Sequence, residues 1–369
     1  MNSLRIGIDG DTLRMPFSGV GRYVFNLCCE LDVLLSEASF IVYSRLPASA
    51  VRLPSSRWQL RSESVAAYRS LPSFVWLKTR CRSMCAADRL DVFWAGRTLH
   101  PGPSAGVRTV CTVHDVNHLV TPETMQFQTR WSHRLWFRRD VLSADCVLAN
   151  SYGTAERVRT MLHAKVRDVV PPGVAPQFHP PTPEEEAEIP DELSRLGVRS
   201  PYLLSVAAAE PRKNLDAVLG AYLNLKRSGQ LSEHRLVLAG PTGWKNRAIA
   251  QKLAEAQAHG VVQVGYVPDY LMPRLYAGAE VLVFPSLYEG FGMPVLEARA
   301  CGTKVVVSDV PELREAGGPN AIIVKPSVEG IERGIMTATT TPVRKEMDLA
   351  ASYSWRRSGE RLADILAHG

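Results

Sequence analysis

The segment EGFGMPVLE (289–297) sets two carboxylates, Glu289 and Glu297, eight positions apart around a strand-to-helix turn. In VLVFPSLYEGFGMPVLEARACGTKVVVSD (281–309) an apolar strand ends at Phe284–Pro285 and a loop carries Gly290 and Gly292. A helix begins near Pro294, a residue favoured in a first helical turn. The free N–H groups and partial positive charge of such a start suit a phosphate, and the glycines let a ligand approach the backbone. Glu297 falls about one turn inside the helix, where its side chain leans back toward the helix start. A carboxylate there suits a bidentate grip on a ribose diol, and Glu289, ahead of the helix, suits the hydroxyls of a sugar. The spacing alone also describes a tight turn with two solvated glutamates. The small turn of ACGTKVVVSD (300–309), leading into another buried strand, favours ligand binding.

A second constellation lies in SVAAAEPRKNLDAV (205–218): a strand ends near Ala207, a loop presents Arg212 and Lys213, and Asn214 is placed to cap the next helix. Adjacent cations suit a diphosphate, Arg by paired hydrogen bonds and Lys as a compact point charge. They would neutralise a leaving diphosphate without a metal. An Arg-Lys pair is by itself more often solvated surface; its place at the end of a parallel strand favours an anion. His114 ends the strand RTVCTVHD (108–115). A lone histidine is more often structural, but this position also allows a ligand contact, with Asp115 orienting the ring or supporting the loop and His118 a weaker candidate, both on the acceptor side. Gly19 and Gly21 in SGVGRY (18–23) do not make a dinucleotide fingerprint: Val24 stands where the third glycine belongs, and no acid follows the second strand in VYSRLP (42–47). They predict a loop whose backbone approaches a phosphate or sugar. No acidic cluster has metal-ligand spacing.

Elements of one kind must position these residues. RIGIDG (5–10), FIVYS (40–44), DVFWAG (91–96), RTVCTVHD (108–115) and ADCVLANS (144–151) read as strands, with helices over 20–35 and 126–143 among the segments between. YLLSVA (202–207), RLVLAG (235–240), VVQVGYV (261–267), EVLVFPS (280–286) and TKVVVSD (303–309) form a second series, and 352–366 is helical. Strands alternating with helices imply parallel sheets: an α/β chain of two doubly wound, Rossmann-like domains facing a central cleft, whose closure would exclude water. The Pro-rich stretch 169–190 breaks the chain, with a linker near 170–182, a solvated acidic cluster at 184–188 and proline blocking regular structure. Residues 1–170 are expected to form an acceptor-binding domain, onto which 352–369 packs back, and 171–351 the nucleotide-sugar donor-binding domain.

The length, 369 residues, suits two domains of ordinary size. At 46% hydrophobic and 22% charged the chain is globular, and no apolar run spans a bilayer. The N-terminus lacks a secretory core and predicts a cytoplasmic location. The seven cysteines show no metal spacing and read as reduced thiols. Residues 1–170 carry 22 Lys+Arg and 14 Asp+Glu, a net of +8, and 171–369 carry 21 and 23, a net of −2. The first half therefore faces something anionic.

EGFGMPVLE resembles the E-x7-E motif of glycosyltransferase family 4, a retaining family of GT-B fold. SGVGRYVFNL (18–27), TVHDVNHL (112–119), ANSYGTAE (149–156), PPGV (171–174), EPRKN (210–214) and the run from Val264 to Gly292 are similar to that family's segments in order and spacing. The resemblance implies that Arg212 and Lys213 bind the donor diphosphate, that Glu289 meets the donor sugar and that Glu297 holds the ribose. Backbone N–H groups of Phe291, Gly292, Met293, Pro294 and Val295 (proline's position contributing none) would meet sugar and phosphate. The base would lie near Gly265, Tyr266 and Leu271, and His114 would touch a donor-sugar hydroxyl. Ala207–Ala209 departs from the glycine-containing turn usual before the Arg-Lys pair. Transfer on one face of the sugar, with the departing phosphate taking the acceptor proton, needs no protein nucleophile and no metal or other cofactor. The EPRKN and SGVGRY forms look most like bacterial mannosyltransferases that use GDP-mannose in polysaccharide or lipopolysaccharide biosynthesis.

Phe127, Trp131 and Leu135 fall at helical spacing in FQTRWSHRLWFRRD (127–140), ringed by Arg134, Arg138 and Arg139; RSLPSFVWLKTRCRSMC (69–85) mixes aromatics and arginines likewise. The 127–140 stripe either faces the core or lies on the anionic inner membrane, which would suit a lipid-linked glycan acceptor. Nucleic acid is not an expected partner. A UDP- or dTDP-sugar donor, a sugar-nucleotide epimerase of similar fold and a non-catalytic membrane scaffold are the competing readings. The EPRKN and E-x7-E pair argues against the epimerase, and the intact Glu289, Glu297, Arg212, Lys213 and His114 against the scaffold.

Overall fold

The computed structural model describes residues 3–104, 106–125, 127–206, 210–241, 247–342 and 349–369; the turn at Ala207–Ala209 lies outside them. The chain divides into two compact units, 1–173 with 353–369, and 174–352.

Unit 1 is built on seven strands: β1 (Arg5–Asp9), β2 (Ser39–Ser44), β3 (Gln59–Ser62), β4 (Val92–Ala95), β5 (Arg108–Val113), β6 (Cys146–Ala149) and β7 (Asp168–Val169). Their order is β3-β2-β1-β4-β5-β6-β7, every pair parallel. β3 and β7, too short and too polar to read as strands, were not expected from the sequence. Alternate residues face opposite sides. Ile6, Ile8, Phe40, Val42 and Trp94 join one core, and Ile41, Tyr43, Phe93 and Ala95 another. The first core is closed by the helices Gly19–Leu34 and Trp355–His368, which contribute Val24, Leu27, Leu31, Leu362, Ile365 and Leu366.

The glycine pair Gly19 and Gly21 lies in the first turn of that helix, not in a loop. Ser18 caps it by accepting from Gly21 N. A Cβ on Gly21 would stand 2.6 Å from the Thr12 carbonyl oxygen, so glycine is required there by packing. The stretch expected as one helix over 126–143 runs as Phe127–Ser132, a π-helical turn His133–Phe137, and Arg138–Ser143. A second π turn, Leu77–Cys81, lies between the helices Ser73–Trp76 and Arg82–Ala87. Phe127, Trp131 and Leu135 are 74%, 48% and 55% exposed. The core-facing reading of this stripe is therefore wrong.

Unit 2 carries β8 (Tyr202–Val206), β9 (Arg235–Ala239), β10 (Val261–Gly265), β11 (Val281–Phe284), β12 (Lys304–Ser308) and β13 (Ile322–Val324), in the order β10-β9-β8-β11-β12-β13, also parallel. The acidic cluster does not sit in irregular chain. Pro183–Ser194 is a helix, because Thr182 and Glu185 form a reciprocal capping box and Pro183 occupies the first turn, where no N–H is needed. All seven cysteines are free thiols.

Gly173 passes against the start of the helix Trp355–His368; a Cβ there would meet Trp355 N at 2.1 Å. Gly173→Ala is expected to destabilise unit 1 by about 3 kcal/mol and to lower the thermal midpoint by on the order of 5 °C or more. An unchanged midpoint in calorimetry would show that this crossing is not tightly packed.

Candidate functional site

In both sheets the winding direction reverses once, between β8 and β11 in unit 2 and between β1 and β4 in unit 1. Ligands of doubly wound sheets bind beyond the carboxyl ends of the strands at such a point. In unit 2 the loops that leave β8 and β11 carry Arg212 and Lys213 on one side and Glu289 on the other.

These three residues form an ion triad in which Glu289 is buried and the two cations are half-buried. Arg212 Nη1 lies 2.7 Å from Glu289 Oε2, and Lys213 Nζ 2.6 Å from Oε1. The Tyr288 carbonyl accepts from Arg212 Nη1 at 2.8 Å, and Leu287 N donates to the Arg212 carbonyl at 2.8 Å, so the two loops are tied through backbone as well as charge. Lys213 Nζ stands 4.9 Å from the centre of the Phe284 ring. Burial alone would raise the Glu289 carboxyl; the attraction of Lys213 and Arg212 outweighs it and holds the group at about 2. Burial pulls Lys213 below the usual lysine value, with Glu289 opposing it. Asn214 does not cap the following helix. It lies in the left-handed region at φ 58°, and its side chain donates to the carbonyls of Pro285 and Pro326 at 3.2 and 2.9 Å, fixing the Arg-Lys loop to the loop after β11.

The helix Met293–Ala300 starts directly after Gly292, whose φ is 106°. A Cβ on Gly292 would stand 2.7 Å from Leu313 Cδ2, so conformation and space both require glycine. Phe291 and Val295 are buried, so only their backbone is open to a ligand; Met293 and Pro294 are half-buried. Glu297 is buried, with Tyr276 Oη donating to Oε2 at 2.9 Å. Tyr276 is itself fixed by Thr303 Oγ1 on its carbonyl at 2.6 Å. Gly265 ends β10 at φ 66° beside a register shift, Tyr266 and Tyr270 are exposed, and Leu271 starts the helix Met272–Ala277.

In unit 1, His114 follows β5 and is buried, its Nε2 2.5 Å from the Gly96 carbonyl and its ring edge-on to Tyr23 at 4.9 Å. A carbonyl only accepts, so Nε2 carries the proton; burial lowers the ring's pKa and keeps it neutral. Nδ1 is then an acceptor. Asp115 Oδ1 accepts from Asn117 N at 2.9 Å, which supports the loop, and no bond ties it to His114. His118 points elsewhere, packing on Phe137 and His133 at 4.3 and 5.4 Å.

Sequence reasoning missed the residues that hold these groups: Tyr288, Tyr276, Tyr23, and Ser286, which bonds to Glu289. Buried aromatics beside a motif were the available signal, but periodicity does not distinguish them from core.

Residues 17–178 match the family model "Glycosyltransferase Family 4", and residues 191–353 match "Glycosyl transferases group 1". The chain is 28% identical over 370 residues to the O-antigen chain mannosyltransferase B of Escherichia coli, covering 94% of each. It also matches longer serotype-specific mannosyltransferases of that organism, of which it spans about a third. Among solved structures, sucrose-phosphate synthase of Thermosynechococcus elongatus superposes with a TM-score of 0.75 at 18% identity, covering 99% of this chain and 95% of that one. WaaG, a glycosyltransferase involved in lipopolysaccharide biosynthesis, superposes at 0.70 and 18% identity over 99% and 100%. The fold is GT-B.

Glu289 satisfies the two cations that a diphosphate would need. Glu289→Gln is expected to raise the affinity for inorganic pyrophosphate about tenfold, the size of one charged hydrogen-bond exchange, while lowering the stability of the ligand-free protein. Weaker pyrophosphate binding in isothermal titration would show that Glu289 builds the anion site and does not compete for it.

Proposed function

Because the chain belongs to glycosyltransferase family 4, we propose that it transfers mannose from GDP-mannose, with retention, onto a lipid-linked or polysaccharide acceptor in bacterial surface glycan assembly. The observation that carries this reading is the Arg212–Lys213–Glu289 triad at the switch point of unit 2, beside the helix start at Gly292. The relatives named as O-antigen mannosyltransferases support the sugar and the pathway class.

Arg212 and Lys213 take the donor diphosphate, Glu289 turns to the hydroxyls of the sugar, and Glu297 grips the ribose. The N–H groups at Gly292, Met293 and Val295 meet sugar and phosphate. Gly265, Tyr266 and Leu271 border the base. In unit 1 the helix start at Gly19 and Gly21 offers N–H groups and His114 Nδ1 offers an acceptor to substrate. In the transfer, the bond from the anomeric carbon to the diphosphate oxygen breaks, and the acceptor oxygen bonds to that carbon on the same face. The acceptor's proton passes to the diphosphate, whose charge rests on Arg212 and Lys213. No metal takes part in this scheme.

Among the described residues no helix is long and apolar enough to cross a membrane. We place the exposed Phe127, Trp131 and Leu135, with Arg134, Arg138 and Arg139 around them, against an anionic lipid surface. Wild type is expected to float with phosphatidylglycerol vesicles at low salt and Trp131→Glu to stay in the pellet; equal behaviour of the two would remove the membrane reading.

Thermal shift with GDP-mannose, UDP-glucose, UDP-N-acetylglucosamine and dTDP-rhamnose is expected to single out GDP-mannose. A hundredfold excess over Kd stabilises by about 2.7 kcal/mol. Transfer is expected to persist in EDTA, and Glu297→Ala to raise the donor KM by about tenfold or more with little change in kcat. A shift with a UDP-sugar alone would replace the donor assignment.

A further inference from the structure

Tyr23, in the helix Gly19–Leu34, is buried and touches parts of unit 1 that lie far apart in the chain. Its hydroxyl donates to the Val170 carbonyl at 2.7 Å. Its ring meets His114 edge-on, at 4.9 Å and 89°, and meets Trp355 at 5.9 Å and 68°. Val170 lies just past β7, shortly before the chain leaves unit 1 after Gly173, and Trp355 lies just inside the point, Tyr353, where the chain returns. These two crossing segments are locked together. Ser358 Oγ donates to the Pro171 carbonyl at 2.7 Å and Arg361 Nη1 to the Val169 carbonyl at 3.0 Å, and Gly173 passes tightly against Trp355.

His114 has a second anchor. The Gly96 carbonyl that accepts from its Nε2 belongs to the loop after β4. In that loop Arg97 is paired through Nε with the buried Asp9 at the end of β1 and lies 3.9 Å from Asp11. Thr98, a β-branched residue, is held at φ 78° with its hydroxyl on the Thr112 carbonyl at 3.0 Å. Such a residue is an outlier in this region and persists where the surroundings enforce it. The anchor at Nε2 is therefore fixed, and the remaining freedom of the imidazole is rotation about it, which the Tyr23 ring limits. An apolar ring would fill the same space. The hydroxyl adds a tie to the Val170 carbonyl, a buried acceptor beyond the end of the last strand.

We propose that Tyr23 is a positioning residue for transfer: it sets the His114 imidazole from the place where the chain leaves and re-enters unit 1, and so fixes the direction in which Nδ1 is presented. This rests on the transferase reading above. The bond to Val170 and the contact with Trp355 fix Tyr23 to the crossing segments, and the edge-on contact passes that setting to His114. The same ring helps to keep water from the imidazole. Burial lowers His114, with the Gly96 carbonyl and the charge of Asp115 opposing it. Tyr23 faces it uncharged, its own hydroxyl raised by burial. Nδ1 thus stays an acceptor below the pH at which an ordinary imidazole takes up a proton.

Tyr23→Leu and Tyr23→Phe, made in the full chain, test this with methyl α-mannopyranoside and the nucleotide sugar that the wild type uses. Tyr23→Leu uncovers His114. Its kcat is expected to fall about tenfold or more with donor KM within about twofold. The acid limb of its kcat–pH profile is expected to move up by about half a pH unit or more, toward the ordinary imidazole value. Tyr23→Phe keeps the ring and is expected to keep the wild-type acid limb, with a smaller fall in kcat. Wild-type behaviour of Tyr23→Leu, or the same losses in both variants, overturns the proposal. Tyr23→Met carries the test where Tyr23→Leu does not fold. Wild type that transfers from no nucleotide sugar would instead sink the transferase reading. Tyr23 is then judged by imidazole NMR: the His114 titration midpoint should rise in Tyr23→Leu and stay in place in Tyr23→Phe, and a midpoint unmoved in Tyr23→Leu refutes the positioning role.

Discussion

A cation largely withdrawn from water beside an apolar ring is tolerated only with a partner, and this constraint organises unit 2. Lys213 sits against Phe284, and together with Arg212 it takes its counter-charge from Glu289 on the neighbouring strand-end loop. Removing one member would leave an unpaired charge with little water to solvate it. The surrounding features serve this arrangement. The left-handed Asn214 clamps both loops, the Tyr288 carbonyl directs the guanidinium, and Gly292 lets the next helix begin at once. The triad is thus already electrically satisfied, and in the function proposed above a diphosphate would exchange one anionic partner for another.

The two sheets solve the same topological problem differently. Each places an arginine and a carboxylate where its winding reverses. In unit 2 both cations, Arg212 and Lys213, converge on the one carboxylate Glu289, with Glu210 3.6 Å from Arg212 on its other side. In unit 1 the arginines and aspartates around β1 and β4 cancel. The net charges of the two halves of the sequence run the other way, +8 in residues 1–170 and −2 in 171–369. The excess of the first half lies partly on its surface, at Arg134, Arg138 and Arg139.

The long apolar strands and the turns that carry Glu289, Arg212 and His114 were legible because a buried parallel strand and its terminating loop leave a strong local pattern. The short edge strands β3 and β7 left none. The helix Pro183–Ser194 was hidden by its prolines: Pro183 is harmless in a first turn, and Pro190 inside the helix costs stability that the capping box and the buried Ile189 and Leu193 offset. Gly19 and Gly21 were misread because a glycine demanded by close packing looks the same in sequence as one demanded by a loop. Arg97 was invisible for another reason. Its importance comes from meeting Asp9, 88 positions away, on a neighbouring strand.

Unit 1 is assembled from two separated stretches, 1–173 and 353–369, with the whole of unit 2 encoded between them. The helix Trp355–His368 contributes Leu362, Ile365 and Leu366 to the core under β1 and β2, and Arg108 donates to its final carbonyls. During synthesis the ribosome therefore delivers every residue of unit 2 before unit 1 can close its core. For that interval Tyr23 lacks the Trp355 ring that meets it edge-on and Leu34 lacks the close approach of Gly359, while unit 2 is free to fold. A nascent chain stalled before residue 353 would carry one finished domain and one that holdase chaperones have reason to bind.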